Sequence, residues 1–211
     1  MKRTVSYLVV FSGLVVMGTS VARAEQAKPA AAPAAPAMDP AMEAAMKALQ
    51  EIGAPSENHQ ALQPFVGSWT YTAQWWMAPN GPPQTMTGTA VNTLIFGGRF
   101  LKEEIHGEAK DQPPFEGLGF TGYDNLRKEY QSVWLDNMAT GMMVGSGPFD
   151  AQTKAVTQQG EFSCPLTRET HRKYRTAWTV VDADHNTYEN YMQTPEGVEF
   201  KAMEIHYTRA Q

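Results

Sequence analysis

Ten short runs of alternating apolar and polar residues, each closed by a turn signal, limit what this chain can fold into. They are Trp69–Met77, Gln84–Phe96, Arg99–Glu108, Phe115–Tyr123, Glu129–Asp136, Gly141–Ser146, Lys154–Phe162, His171–Val181, Thr187–Thr194 and Val198–Thr208. Side chains of a strand alternate between its two faces, so each run offers one face to a core and one to solvent. The turn signals between them include Pro79-Asn80-Gly81-Pro82, Gly97-Gly98, Asp124-Asn125, Pro148 to Asp150 and Pro195-Glu196-Gly197. Strands this short, at hairpin spacing and without helical interruption, predict an antiparallel sandwich or barrel. So many strands in one small domain favour closure, because an open sheet would leave two long edges. The expected fold is all-β: a closed antiparallel β-barrel of about ten strands, preceded by one or two short helices.

The residues before the barrel set the compartment. Lys2 and Arg3 form a basic start, Val5 to Met17 is an apolar run, and Ala22-Arg23-Ala24 is a small-x-small cleavage site. This predicts a signal peptide over residues 1–24, cleaved after Ala24, and a periplasmic or secreted protein. The apolar run is too short and wrongly flanked for a spanning helix, so the mature chain is expected to have no membrane span. Cleavage takes three of the 17 basic side chains and none of the 22 acidic ones, leaving a balance of −8. A net acidic chain without a basic run is a poor partner for nucleic acid. The single cysteine, Cys164, excludes an intramolecular disulfide. The core must then hold the fold alone.

Residues 25–38 are rich in Ala and Pro and predict an extended linker. Residues 39–66 predict the helical segment. Asp39 is placed to cap a helix begun by Pro40, and Met42, Ala45, Met46 and Leu49 recur at helical spacing before Gly53. That Met-containing stripe is expected to pack on its own domain. Ser56 is placed to cap a second short helix that ends at Pro64. The barrel is expected over residues 67–211.

An ordered series of motifs carries a family resemblance. Gly67-Ser68-Trp69 looks like the Gly-x-Trp opening of lipocalin-like barrels. Phe96-Gly97-Gly98-Arg99-Phe100-Leu101, Gly119-Phe120-Thr121-Gly122-Tyr123-Asp124, Tyr130 to Trp134-Leu135-Asp136, and Gly197 to Tyr207-Thr208-Arg209 follow it. Over residues 57–209 the chain resembles the bacterial proteins grouped as the domain of unknown function 1579. The resemblance implies a calycin/lipocalin-like barrel and no particular activity.

In a closed barrel the first and last strands are neighbours, which lets Arg209 lie over the indole of Trp69 in a structural cation–π contact. Gly97-Gly98 is expected to supply positive φ for a two-residue hairpin. Gly117, Gly119 and Gly122 predict bulges, curvature or a neighbour at close approach, with an indole a candidate to fill the space.

If Trp69 points inward, Tyr71, Ala73, Trp75 and Met77 do too. Tyr130, Ser132, Trp134 and Asp136 share a face of the fifth run, and Phe115, Thr121 and Tyr123 a face of the fourth. The last run divides into Val198, Phe200, Ala202, Glu204, His206 and Glu199, Lys201, Met203, Ile205, Tyr207, either of which can face inward. The candidate ligand-binding lining is Tyr71, Trp75, Tyr123 and Trp134 with the polar groups Arg99, Glu103, Asp136 and Glu204. Asp136 and Glu204 are also a candidate pair of carboxylates for acid–base work, and Arg99 a candidate fork for a ligand carboxylate. The five histidines lack metal-ligand spacing and no Gly-x-Ser-x-Gly elbow occurs. Neither a cofactor, a metal nor a catalytic residue is therefore expected. Two functional readings follow. One is a non-enzymatic binder of a small apolar or amphipathic ligand in the barrel. The other is a filled barrel acting through its surface as an envelope interaction module or a homodimer. An acid–base enzyme is a third.

Overall fold

The computed structural model describes residues 38–108, 113–194 and 196–211. The predicted signal peptide and all but the last residue of the predicted linker lie outside the described residues. From Asp39 onward the chain forms one compact unit.

Helix α1 (Pro40–Ile52) starts where Asp39 accepts a hydrogen bond from the Ala41 amide at 2.8 Å, with Pro40 in the first turn. The expectation that its apolar stripe packs on the domain is corrected. α1 has no buried residue, and Met42, Met46 and Leu49 are exposed. Among the described residues, its C-terminal end is what is tied to the barrel. Asn125 donates to the carbonyls of Ile52 and Ala54, and Arg99 to that of Gly53. A helix bonded through its last turn has no reason to lay its side against the sheet.

Helix α2 (Glu57–Gln60) opens at Ser56, whose amide donates to His59 Nδ1 at 2.9 Å. A 3-10 turn (Gln63–Phe65) follows. Eleven strands complete the chain: β1 (Gly67–Trp75), β2 (Gln84–Ile95), β3 (Phe100–Glu108), β4 (Phe115–Asp124), β5 (Glu129–Asp136), β6 (Met143–Gly147), β7 (Phe149–Asp150), β8 (Ala155–Phe162), β9 (Arg172–Val180), β10 (His185–Gln193) and β11 (Glu199–Arg209). All the pairings are antiparallel. The order runs β6-β5-β4-β3-β2-β1-β11-β10-β9-β8, and β8 returns to β6, closing a barrel of ten strands. The two-residue β7, on residues whose sequence reads as a turn, adds a short pairing to β8.

Two local expectations are corrected. β1 ends at Trp75, and Met77 is exposed rather than inward, because the chain leaves the sheet toward the Pro79–Gly81 turn. The β2–β3 connection has four residues, not two. Phe96, Gly97 and Gly98 all take positive φ, and the amides of Gly98 and Arg99 both reach the Ile95 carbonyl.

The segment before β1 plugs one end of the barrel. Leu62 and Phe65 are fully buried with Leu101, Tyr130, Val156 and Trp178. Each such side chain stabilises the fold by about 1.5–3 kcal/mol. The Phe65 carbonyl accepts from Trp69 Nε1 at 2.9 Å and Asn92 Nδ2 at 3.0 Å, and Tyr130 donates to the Asn58 carbonyl at 2.6 Å. Trp69 and Arg209 are register partners of β1 and β11, and the guanidinium lies 4.1 Å from the ring. Arg209 also donates to the carbonyls of Val66, Pro64 and Ala183, so it ties the plug to the β9–β10 turn.

Candidate functional site

Cross-strand register fixes what faces the barrel interior. Trp69, Tyr71, Ala73 and Trp75 of β1 lie beside Ala90, Gly88, Met86 and Gln84 of β2. Asn92 pairs with Glu103, Glu103 with Gly119, and Gly119 with Trp134. On the other wall Gln158, Thr176 and Asn190 form a row, and Asn186 and Tyr188 pair with Tyr207 and Ile205.

Aromatic rings lie against glycines on neighbouring strands. A side chain on Gly117 would collide with the Trp134 ring, and one on Gly88 or Gly107 with Tyr71. Gly145 and Gly160 stand in the same relation to Tyr174. The rings are thereby laid along the wall. Trp134 is held further by its Nε1, which donates to Asp136 Oδ2 at 2.9 Å, and by stacking on Phe115 at 6.4 Å between centroids.

Glu103 stands among these rings. Its Oε1 accepts from the Tyr207 hydroxyl at 3.3 Å. Protein surrounds the carboxyl closely, yet the residue keeps surface accessible to water, as a group facing an internal space does. Burial pushes its pKa up to about 7, partly offset by the Tyr207 hydrogen bond. Tyr71 is pushed up to about 12 by burial and by the nearby Glu103 charge. Tyr207 and Tyr188 are raised for the same leading reason, burial. Five buried polar atoms on inward-facing side chains have no hydrogen-bond partner: Asn92 Oδ1, Gln158 Nε2, Arg172 Nε, Asn186 Nδ2 and Asn190 Oδ1. Buried polar groups are nearly always paired, so these five atoms mark where water or another molecule would complete the hydrogen bonding.

The predicted lining residues therefore divide. Tyr71, Glu103 and Trp134 come together. Trp75 is half-buried on the same inward face at the end away from the plug, and Asp136 is held beside Trp134. Tyr123 packs beneath the plug against Tyr130 and His59. Two residues are not in the interior. Arg99 is exposed in the β2–β3 loop, where it donates to the carbonyls of Gly53 and Phe96. Glu204 is on the outer face, where Lys201 bridges it to Glu189 at 3.1 and 2.6 Å. The pairing of Asp136 with Glu204 fails for the same reason.

The inward face of β11 is neither of the two alternating sets. Asn190 pairs with Met203 and Tyr191 with Lys201, so Ala202 is an extra residue on β11. The face switches there: Met203, Ile205 and Tyr207 point inward on one side of the bulge and Phe200 on the other. Tyr188, Tyr207, Gln158 and Asn190 are additional lining residues. The sequence signal for them is Asn and Gln inside strands, where Asn is depleted.

A groove of about 670 Å³ lies on the outer face of the sheet, over Thr70, Thr72, Thr87, Thr89, His106 and His206. It presents exposed hydroxyl and imidazole groups and none of the buried unpartnered atoms. No group of three or more His, Cys, Asp or Glu that could hold a metal occurs among the described residues. None of their helices is long and apolar enough to cross a membrane.

Among solved structures the chain is similar to Rv2717c from M. tuberculosis, with 16% identity and a TM-score of 0.55, over 75% of this chain and 100% of that one. It is also similar to the S-type phycobiliprotein lyase CPES from Guillardia theta, with 9% identity and a TM-score of 0.53, over 77% and 97% of the two chains. At these identities the likeness concerns the fold. No curated protein matches the sequence. Residues 54–209 match the family described as "Protein of unknown function (DUF1579)", and the chain belongs to that family.

Proposed function

We propose that this barrel is a non-enzymatic binder of a small amphipathic molecule, held inside the barrel on the side away from the plug. The observation that carries the reading is the set of unpartnered polar atoms that face inward around Glu103, among aromatic walls. Each such atom costs about 1–3 kcal/mol when left unpaired, and a ligand with matching polar groups would recover part of that. Met86, Phe115 and Met203, partly buried around Tyr71 and Trp134, supply an apolar wall for the rest of the molecule.

The proposal includes export to the periplasm or the medium, on the signal peptide read in residues 1–24. N-terminal sequencing of the mature protein tests it, with Glu25 expected as the first residue. The binding reading is tested by native mass spectrometry of the protein purified from its own host. A stoichiometric small molecule supports it. A bare mass favours the second reading, action through the surface, for which the exposed Met42, Met46 and Leu49 stripe of α1 is the specific observation.

A further inference from the structure

We propose that the interior site takes its ligand by a protonated amine, seated between the Glu103 carboxylate and the rings of Tyr71, Trp134, Tyr188 and Tyr207. The inference rests on the reading of the barrel interior as a binding site and names the ligand class for it.

The first observation is a missing counter-charge. The register turns Glu103, Asp136 and Arg172 inward. Asp136 is occupied by Trp134 Nε1 and the Met138 amide, while Arg172 lies beside Glu169 and donates to the Cys164 sulfur and the Gln193 carbonyl, its Nε left without a hydrogen-bond partner. No basic side chain pairs with Glu103 among the described residues, and the hydrogen bond it does receive comes from a neutral phenol. An enclosed carboxylate without a cation is costly, and the cost is removed if the cation arrives with the ligand.

The second observation is the surroundings. Glu103 Oε2 and Trp134 Cε3 lie 3.5 and 3.1 Å from where a side chain on Gly119 would begin, so carboxylate and indole meet side by side over Gly119. Tyr207 touches the carboxyl, and its ring is tilted against that of Tyr71 at 5.7 Å between centroids. Aromatic faces attract a cation placed over them, more strongly once it is desolvated. An ammonium has three donors and no acceptor. Asn190 Oδ1, buried and unpartnered, offers it a further acceptor. A ligand carboxylate would instead meet a charge of its own sign.

The rise of the Glu103 pKa to about 7 agrees with this arrangement, and it sets the pH dependence. A cation binds the ionised carboxylate, so below neutrality binding must expel a proton. Affinity then climbs with pH up to about 7 and levels off above it.

The test is calorimetric titration of the purified protein with octylamine, octanol and octanoate, repeated as the pH is lowered from about 8 and repeated on Glu103→Gln. Octylamine is expected to bind at least about tenfold more tightly than octanol, with octanoate weakest. Its affinity is expected to fall by up to about tenfold per pH unit below neutrality. Glu103→Gln is expected to abolish both effects and keep octanol binding. Equal binding of octylamine and octanol, or an amine preference that survives Glu103→Gln, overturns the amine assignment and leaves the interior reading standing. Failure of all three to bind, with a bare mass in native spectrometry, removes the interior reading itself.

Discussion

Raising the pH through neutrality is expected to cost this protein stability at one residue. The Glu103 carboxyl titrates near 4.5 when unperturbed and near 7 in the folded barrel, because burial disfavours its charged form. Between those values the native state holds a proton that the unfolded chain has already released. The unfolded state therefore binds fewer protons, and stability falls as the pH rises across this window, with the loss complete above about 7. At roughly 1.4 kcal/mol per pH unit the whole window amounts to about 3 kcal/mol. That is a large part of the roughly 5–15 kcal/mol that holds a domain folded. Glu103→Gln keeps the size and most of the hydrogen bonding of the side chain but has no proton to lose. Urea unfolding followed by the fluorescence of the inward-facing Trp69, Trp134 and Trp178 measures both proteins from about pH 5 to about pH 8. The difference between them isolates Glu103 from every other titrating group. The variant is expected to gain about 3 kcal/mol on the wild type across that range. A difference that does not change with pH would show that the carboxyl is solvated like a surface group, and the account of the interior would fail with it.

Three other perturbations follow from the geometry. Gly117→Ala sets a methyl group against the Trp134 ring and is expected to destabilise by about 1–3 kcal/mol, with a shift in tryptophan emission. Arg209→Met removes the cation over Trp69 and the donors to Val66 and Ala183. A loss of about 2–4 kcal/mol is expected in thermal or urea unfolding, only partly restored by Arg209→Lys. His59 is buried at the plug, and burial, helped by Arg99, holds its pKa below the ordinary 6.5. The native state then binds fewer protons than the unfolded chain as the pH drops past 6.5, so stability falls on the acid side there. The Glu103→Gln background exposes this slope, and His59→Asn should flatten it.

The barrel was legible because its signals are local. Alternation marks each strand, and Asp, Asn, Gly and Pro mark the turns, so closure followed from strand number. The same logic put Arg209 beside Trp69, since closure makes the first and last strands neighbours. Tyr71, Glu103 and Trp134 were legible because their strands keep a strict alternation over the relevant length. Glu204 was not, because an extra residue at Ala202 switches the face of β11, and period two cannot register a bulge within a run. By alternation Arg99 is the first residue of its strand, but it stands in a loop that three positive φ angles extend to four residues. The stripe of α1 has core spacing, yet spacing does not say whether a wall is within reach. The polar row of Gln158, Thr176 and Asn190 becomes a feature only when three strands, distant in sequence, are laid side by side.

That polar row separates a barrel evolved to be filled from one evolved to bind. Ser132 Oγ donates to Gln158 Oε1 at 2.8 Å, while Gln158 Nε2 has no partner. If the interior existed only to pack, this pair would be a defect, because an unpaired buried donor costs about 1–3 kcal/mol and an apolar pair of similar shape costs nothing of that kind. Replacing one member alone would strand the other, so the informative variant is the double one, Ser132→Ala with Gln158→Met. It is expected to unfold at higher denaturant, gaining about 1–2 kcal/mol, and, on the interior-binding proposal, to bind octylamine more weakly than the wild type does. Stability gained together with binding lost is the exchange expected where polar groups are kept for recognition. If the double variant is instead less stable than the wild type, the Gln158 amide is satisfied in solution. The interior polar groups would then be part of the packing rather than a surface held ready for a guest.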